Sequence, residues 1–469
     1  MEEDVSKETL FRTRIDKENE SFESFLDELR GAIKNDHETF LKGLLDGAHP
    51  ADIATIFKAL ETEESLYLFR ILSNEDQAYT LIKIDDEMLS LFLEELSIEE
   101  ISKTLDYIET DETTYLLSYL TPSKRDQVLS KLSKRDSFEI RSQLGFRESS
   151  AGRLMSKDFA TAMLGDNVRK GIINVRKKAK EIEDIYQVYV TDEDGILKGF
   201  IPLKDLFLTP INTKIDKITN FSIYSFHYDT DQEEVALTFK KYDLVSAAVV
   251  DDLGRIIGRI TLDDVLEIVE EEASEDILRM AGVSEDERLA TPIIQSVKRR
   301  IIWLNVNLLT AFLSSTVVAF FEETIAKIVV LATLMPIVAG LGGNAGTQSV
   351  TVVIRNIATG DLTFSNWWEA VRKEFIIGCI NGLVLGFITG LMIFLVKGNL
   401  VLGLVVGSAM LVNMLVASLS GSLVPILLKL IKIDPAIASS IFVTAMTDVC
   451  GFFFFLGLAT LLSNYLIPS

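Results

Sequence analysis

One carboxylate in this sequence stands where a charge is costly. Asp448 lies near the middle of PAIASSIFVTAMTDVCGFFFFLGLATLLSNYL, an apolar run from Pro435 to Leu466 long enough to cross a bilayer as a tilted helix. A carboxylate at that depth costs roughly 2.5–3.5 kcal/mol on insertion scales, so it is expected to face a polar interior and to mark a functional site. Three partners are open to it: a basic residue on another span, a proton retained by desolvation, or a mobile cation. Arg355, Arg372, Lys373, Lys397, Lys429 and Lys432 all fall at the ends of apolar runs, and no Lys or Arg lies mid-span. A mobile cation is the simplest partner, with the protonated acid as the alternative.

A second group of residues with cation chemistry occupies DDVLEIVEEEASEDI. Asp263, Asp264, Glu267, Glu270, Glu271, Glu272, Glu275 and Asp276 place eight carboxylates within 14 residues. Helical spacing puts Asp264, Glu267, Glu271 and Glu275 near one face, where like charges repel. With no Lys or Arg interleaved, a metal-screened surface is expected rather than a plain solvated helix. Magnesium takes oxygen ligands and keeps much of its water shell, so loosely arranged carboxylates suit it. Zinc or copper would call for His or Cys, which this stretch lacks. His37, His49 and His227 are scattered, and Cys379 and Cys450 lie inside apolar runs as buried thiols. No nucleophile–base set or phosphate-cradling loop is present, so the chain does not read as an enzyme.

The elements that must position these groups divide by charge. Residues 299–469 carry nine Lys/Arg and seven Asp/Glu, whereas residues 1–298 carry 37 and 62. So anionic a soluble part favours cations over nucleic acid as partners. The first twenty residues lack an apolar core, so no cleaved signal peptide is expected and the soluble part should lie in the cytoplasm. Five apolar runs, about 301–321, 326–354, 375–396, 400–428 and 436–467, qualify as spans. Lys298, Arg299, Arg300, Arg355, Arg372, Lys373, Lys429 and Lys432 flank the ends on one side, against Lys327 and Lys397 on the other. That bias places the N-terminus in the cytoplasm and the C-terminus outside. In the second run Pro336, Gly340, Gly342, Gly343 and Gly346 are expected to break or loosen the helix, or to let helices pack closely. Asn344, Thr347 and Gln348 supply uncharged oxygens at the same place, and Asn413, Thr444 and Thr447 are further polar residues within spans.

Before the acidic stretch come two other patterns. Leu60, Leu72, Ile84, Leu96, Ile108, Leu120 and Leu132 recur every twelve residues, most of them closing a short amphipathic unit. Ser97-Ile98-Glu99-Glu100 is a capping box and Thr121-Pro122 an N-cap followed by proline. This predicts short helices stacked as an all-α solenoid over 36–147, with residues 1–35 loosely ordered. From Gly152 strands alternate with helices, and IYQVYVTDEDGILKGFIPLKDLF is echoed about 60 residues later by KYDLVSAAVVDDLGRIIGRITLDDVLEIV. This α/β repeat over 148–270 resembles a tandem CBS pair, a ligand-sensing fold that pairs with another copy. Thr261-x-x-Asp264 matches that family's ribose-binding pattern, while Pro202 replaces the threonine in the first copy. ATP at the CBS pair is therefore an expectation supported by one copy only.

Taken in order, the parts resemble the MgtE-type magnesium channels and transporters. The carrying motifs are HPADIATIF from His49, SSAGRLM from Ser149, DTDQEEVA from Asp229, DDVLEIVEEEASEDI from Asp263, PIVAGLGGNAGTQS from Pro336 and TAMTDVCGFF from Thr444. The resemblance covers nearly the whole chain after residue 36. It implies a connecting plug helix over 271–298, a five-helix transmembrane pore domain over 299–469, and a homodimer with its pore on the two-fold axis. It implies that the pore is lined mainly by the second and fifth spans and that Asp448 binds hydrated Mg2+ there; Asn344, Thr347, Gln348 and Thr444, polar residues of those two spans, are the candidate pore residues beside it. It also implies regulatory Mg2+ at Glu233, Asp243, Asp264, Glu267, Glu272, Glu275 and Asp276, with Asp111 and Glu112 as candidate solenoid contacts. Ser440 and Thr347 depart from the family, standing where some members have asparagine. The expected function is a gated Mg2+ channel of the plasma membrane, closed by Mg2+ on its cytoplasmic part. A Na+- or H+-coupled divalent-cation transporter is the alternative. A membrane-anchored CBS sensor is a third reading, disfavoured because an anchor needs no Asp448.

Overall fold

The protein is described by a computed structural model covering residues 20–466 apart from 180, 181, 183, 285, 286, 288–290, 364 and 438. The chain forms two compact units, one ending at Glu267 and one beginning at Ile268.

In the first unit the solenoid comprises ten described α-helices. These are α1 Glu20–Lys34, α2 Glu38–Leu45, α3 Pro50–Phe57, α4 Thr62–Ile71, α5 Asn74–Lys83, α6 Asp86–Glu95, α7 Ile98–Thr104, α8 Thr110–Ser118, α9 Pro122–Leu129 and α10 Lys134–Leu144. The repeat is set at the helix starts: His37, His49, Glu61, Ser73, Asp85, Ser97, Glu109, Thr121 and Ser133 are the N-caps of α2 to α10, each twelve residues after the last. Ser73, Asp85, Ser97, Thr121 and Ser133 each accept from the N–H three residues on, which satisfies one orphan donor of the helix. His37 and His49, which look scattered in sequence, sit in this register, and His49 Nδ1 accepts from Ala51 N at 3.2 Å. Each short helix buries one apolar face, and Ile56, Phe57, Leu68, Phe69, Leu81, Leu89, Phe92, Leu116 and Leu117 form a continuous core. The expected loose segment 1–35 is corrected in its described part. Phe22, Phe25, Leu26 and Leu29 lie on one side of α1 and are buried in the same core, which fixes the helix; residues 1–19 lie outside the described residues.

The α/β repeat is a pair of three-stranded sheets, β1 Thr161–Met163, β2 Gln187–Thr191, β3 Leu197–Pro202 and β4 Ser225–His227, β5 Ser246–Val250, β6 Ile256–Thr261. Each has the order 1-2-3, with a parallel first pair and an antiparallel second pair. Their hairpins match in detail. Asp192 Oδ1 accepts from Asp194 N and Ile196 N, Asp251 Oδ1 from Leu253 N and Arg255 N, and Gly195 and Gly254 take the left-handed conformation that closes each turn. Helices α11 Ala151–Leu154, α12 Val168–Lys178, α13 Leu203–Leu208 and α14 Gln232–Tyr242 accompany the sheets, and α15 Leu262–Met280 follows β6.

A buried ion pair joins solenoid to sheet. Arg259 Nη2, on β6, donates to Glu109 Oε1 at 2.8 Å and Oε2 at 2.9 Å, while Ser156 Oγ donates to Oε2 at 2.6 Å. Both side chains are largely buried, so removing one partner strands the other. Arg259→Met is expected to destabilise this unit by roughly 3–5 kcal/mol, and adding Glu109→Gln should recover part of that loss. Hydrogen exchange at the buried amides of α8 in the full chain reads both effects.

The second unit holds five helices long and apolar enough to cross a membrane. They are α16 Ile293–Phe320, α18 Val330–Ala358, α19 Trp367–Lys397, α20 Leu400–Leu430 and α21 Ser439–Leu461, with short helices α17 Glu322–Lys327 and α22 Ser463–Leu466 beside them. Two expectations are corrected. Helix α18 is not broken but runs unbroken through Pro336 and the glycine cluster. Pro336 lies inside α18, and the glycines follow the close-packing alternative, Gly342 against Asn413 and Gly346 against Val443. Nor is 271–298 one connecting helix: α15 ends at Met280, Gly282 turns left-handed, and the helix that begins at Ile293 continues into the first span.

Candidate functional site

Asp448 lies in α21, half-buried, and makes no hydrogen bond or ion pair among the described residues. Thr444 is one turn before it on the same face and is exposed. Across from them on α18, Asn344, Thr347 and Gln348 are also exposed. Thr347 Oγ1 donates to the Gly343 carbonyl at 3.0 Å, and a Cβ on Gly343 would lie 3.9 Å from Thr444 Cγ2. The two helices are held this close by small residues: Gly346 faces Val443 and Thr447, and Thr447 is fully buried. The outcome is a polar strip along two membrane spans, with an unpaired carboxylate beside it.

The membrane unit holds a second buried carboxyl that hydropathy did not single out. Glu374, on α19, is 6% exposed and accepts from Ser349 Oγ at 2.7 Å. It escapes a sequence reading because it precedes the apolar run by one residue and looks like a flanking charge.

The expected regulatory carboxylates fall into two groups and two outliers. Asp111 and Asp264 approach one another in the first unit. Burial, and then repulsion from Asp264, Glu112 and Glu109, holds the Asp111 carboxyl well above the usual range. Asp264 is pushed up to about 6, chiefly by burial, against the pull of its bonds from Thr261. Asp264 Oδ2 accepts from Thr261 N at 2.8 Å and Oγ1 at 2.7 Å, whereas the buried Oδ1 of Asp111 has no hydrogen-bond partner. Two repelling carboxyls, one with an orphan oxygen, fit a divalent cation that keeps most of its water. Glu112 is not part of this pair in the same way, because its Oε2 accepts from Glu109 N at 3.2 Å in a capping box.

In the second unit Glu272, Glu275 and Asp276 lie on the last turns of α15. Arg279 ion-pairs with both Glu275 and Asp434, so the repulsion expected along α15 is relieved there by a guanidinium. Asp276 is pushed up to about 6 by burial first and then by repulsion from Asp434 and Glu272. Glu267 is exposed and screened by Lys83, 3.5 Å away. Glu233 and Asp243 sit at opposite ends of α14 and join neither group; Asp243 is its left-handed C-cap. Among the described residues no cluster of three or more His, Cys, Asp or Glu is poised to hold a metal, so any ion here would be shared by pairs and water.

The end of α15 is also fastened to the membrane helices. Ser440 Oγ, on α21, donates to the Met280 carbonyl at 2.7 Å. The Met280 side chain packs on Val350 and Ile354 of α18 and on Ala436 and Val443. Arg279 and Asp434 were thus missed, since each alone reads as an end-of-helix residue, and Ser440 was singled out only as a departure from the family, without its bond to Met280.

Comparison with known proteins agrees with this layout. Residues 335–458 match the family described as divalent cation transporter, MgtE; residues 48–149 match the MgtE intracellular N domain, and 215–271 match the CBS domain. The magnesium transporter MgtE of Enterococcus faecalis is 33% identical over 326 residues, covering 69% of this chain and 71% of that one. Its counterpart from Thermus thermophilus is 35% identical over 320 residues, covering 68% and 71%. A crystal structure of the cytosolic domain of the Mg2+ channel MgtE in complex with ATP aligns at 28% identity and TM-score 0.50, covering 52% of this chain and 99% of that one.

Proposed function

Since the chain belongs to the MgtE family of magnesium transporters, we propose that it is a Mg2+-selective channel, importing Mg2+ across the plasma membrane as a homodimer and closed by Mg2+ on its acidic cytoplasmic part. The observation that carries this reading is Asp448, unpaired beside the exposed Asn344, Thr347, Gln348 and Thr444. Exposed polar groups on spans are unfavourable against lipid, so a second copy must close around them and leave a water-filled path. The basic flanks at the Arg299 and Arg300 end of α16 put the soluble unit in the cytoplasm.

Closure follows from the charge of residues 1–298, with 62 acidic against 37 basic side chains. Mg2+ shared by Asp111 and Asp264, and by Glu272 and Asp276, offsets repulsion that the compact arrangement otherwise carries. Moving a two-state gate from 1:99 to 99:1 needs roughly 5.5 kcal/mol of differential binding, which several weak sites acting together supply. ATP has its pattern in one CBS copy only, with Pro202 in the other and Thr261 bonded to Asp264, so no part of the gate is assigned to it.

Full-length chain reconstituted into proteoliposomes is expected to pass Mg2+ down its electrochemical gradient alone and to shut cooperatively as Mg2+ rises on the soluble-domain side. Flux that requires a Na+ or proton gradient would replace the channel by a coupled transporter. Flux indifferent to Mg2+ on that side would remove the gate.

A further inference from the structure

Helix α20 carries none of the polar strip, yet it encloses polar side chains, and the largest of them is Asn413. Asn413 is 0% exposed. Its Nδ2 donates to the Val338 carbonyl of α18 at 2.8 Å, and its buried Oδ1 has no hydrogen-bond partner. The amide fills a slot between two glycines. A Cβ on Gly342 of α18 would collide with it, and a Cβ on Gly451 of α21 would lie 2.9 Å from both its Cγ and Nδ2. Gly342 is two residues before Asn344, and Gly451 is three residues after Asp448. One side chain therefore touches both helices of the strip, close to the residues that form it.

Packing alone does not explain an amide here. An apolar side chain in an apolar bundle would leave no acceptor unsatisfied, whereas the amide leaves its Oδ1 without a partner. Nor does Val338 need the bond, since its carbonyl lies inside α18, within reach of the ordinary helical ladder. What the amide adds is direction: a bond to α18 made from a notch in α21, which fixes how far apart and at what rotation the two helices stand. We infer that Asn413 is a positioning residue for the ion pathway, setting the approach of Asp448 on α21 to Asn344, Thr347 and Gln348 on α18 from outside the pore. This rests on the reading of Asp448 as the ion site.

The test uses Asn413→Leu in the full-length protein, with Mg2+ flux measured in proteoliposomes against Mg2+ concentration and thermal unfolding measured in detergent. Half-saturating Mg2+ should rise roughly tenfold or more in protein that still unfolds cooperatively, because small displacements of a positioned group are amplified in function. If Asn413→Leu is not recovered folded, Asn413→Ala with Gly451→Ala moves the missing volume onto α21 and again removes only the tether, with the same shift expected. Folded protein of either variant with wild-type half-saturation overturns the inference, whatever its yield, because a purely structural role lowers the amount of folded protein and leaves the site itself alone. Failure of the underlying reading is separate: it would appear as wild-type flux from Asp448→Asn.

Discussion

Asp448→Asn should reduce Mg2+ flux by roughly two to four orders of magnitude while the protein still folds. The substitution keeps shape, removes the charge and replaces one carboxylate oxygen by an NH2 group, a donor that cannot face a cation. Charge-assisted interactions are worth about 1.5–3 kcal/mol each. Two subunits each contributing one carboxylate therefore stand to lose roughly 3–6 kcal/mol of ion stabilisation, or about two to four decades. The loss is not shared with folding, because Asp448 makes no ion pair or hydrogen bond among the described residues that the change would break. Removing a half-buried charge from a membrane span should if anything stabilise the helix. Flux from proteoliposomes, with melting in detergent as the control, decides it. A variant that conducts like wild type would sink the assignment of Asp448 as the ion site.

That residue was legible because hydropathy gives depth and depth gives a penalty. The twelve-residue solenoid was legible for a different reason: cap chemistry and apolar closure carry the same period, so Ser97 and Leu96 announce it from either side. The CBS pair showed itself because strand, acidic turn and strand recur at fixed spacing, and Asp192 and Asp251 make the same turn bonds. What the sequence hid were uses rather than elements. Glu112 follows Glu109 at the spacing of a capping box, a signal that competes with any role as a metal contact. Gly282 and Pro292 punctuate the connecting region, yet the helix expected over 271–298 came from the family resemblance and overrode those two breakers. Pro336 and its glycines left a break and close packing equally open, because composition cannot show that α18 has Asn413 and Val443 to receive them. Arg279 is invisible as a partner of Asp434 because 155 residues separate them, and only the folded unit brings them together.

Arg279 bears directly on the proposed gate. It bridges Glu275 of its own helix to Asp434, just ahead of α21, while Ser440 holds the Met280 carbonyl and Met280 packs on Val350 and Ile354. The last turn of α15 is thereby clasped to the two helices that carry the polar strip. A guanidinium is a fixed cation, so at this joint it would do, at every Mg2+ concentration, part of what the proposed closure assigns to Mg2+. Arg279→Gln should leave Glu275, Asp276 and Asp434 repelling one another and shift the balance towards the open state. Coupling of this kind is typically worth about 1–3 kcal/mol, or roughly 5–150-fold in the open-to-closed ratio. In proteoliposomes the closing curve should move to higher Mg2+ and become steeper, since more of the closure now depends on bound metal. Asp434→Asn alone should act in the opposite sense on repulsion, relieving it at Asp276, and so give a smaller shift. Exchanging the charges, with Arg279→Asp and Asp434→Arg together, should bring the curve back towards wild type if the ion pair itself is the clasp. An Arg279→Gln protein that closes at the wild-type Mg2+ concentration would show that the joint is held by Met280 and Ser440 alone, and that Arg279 has no part in gating.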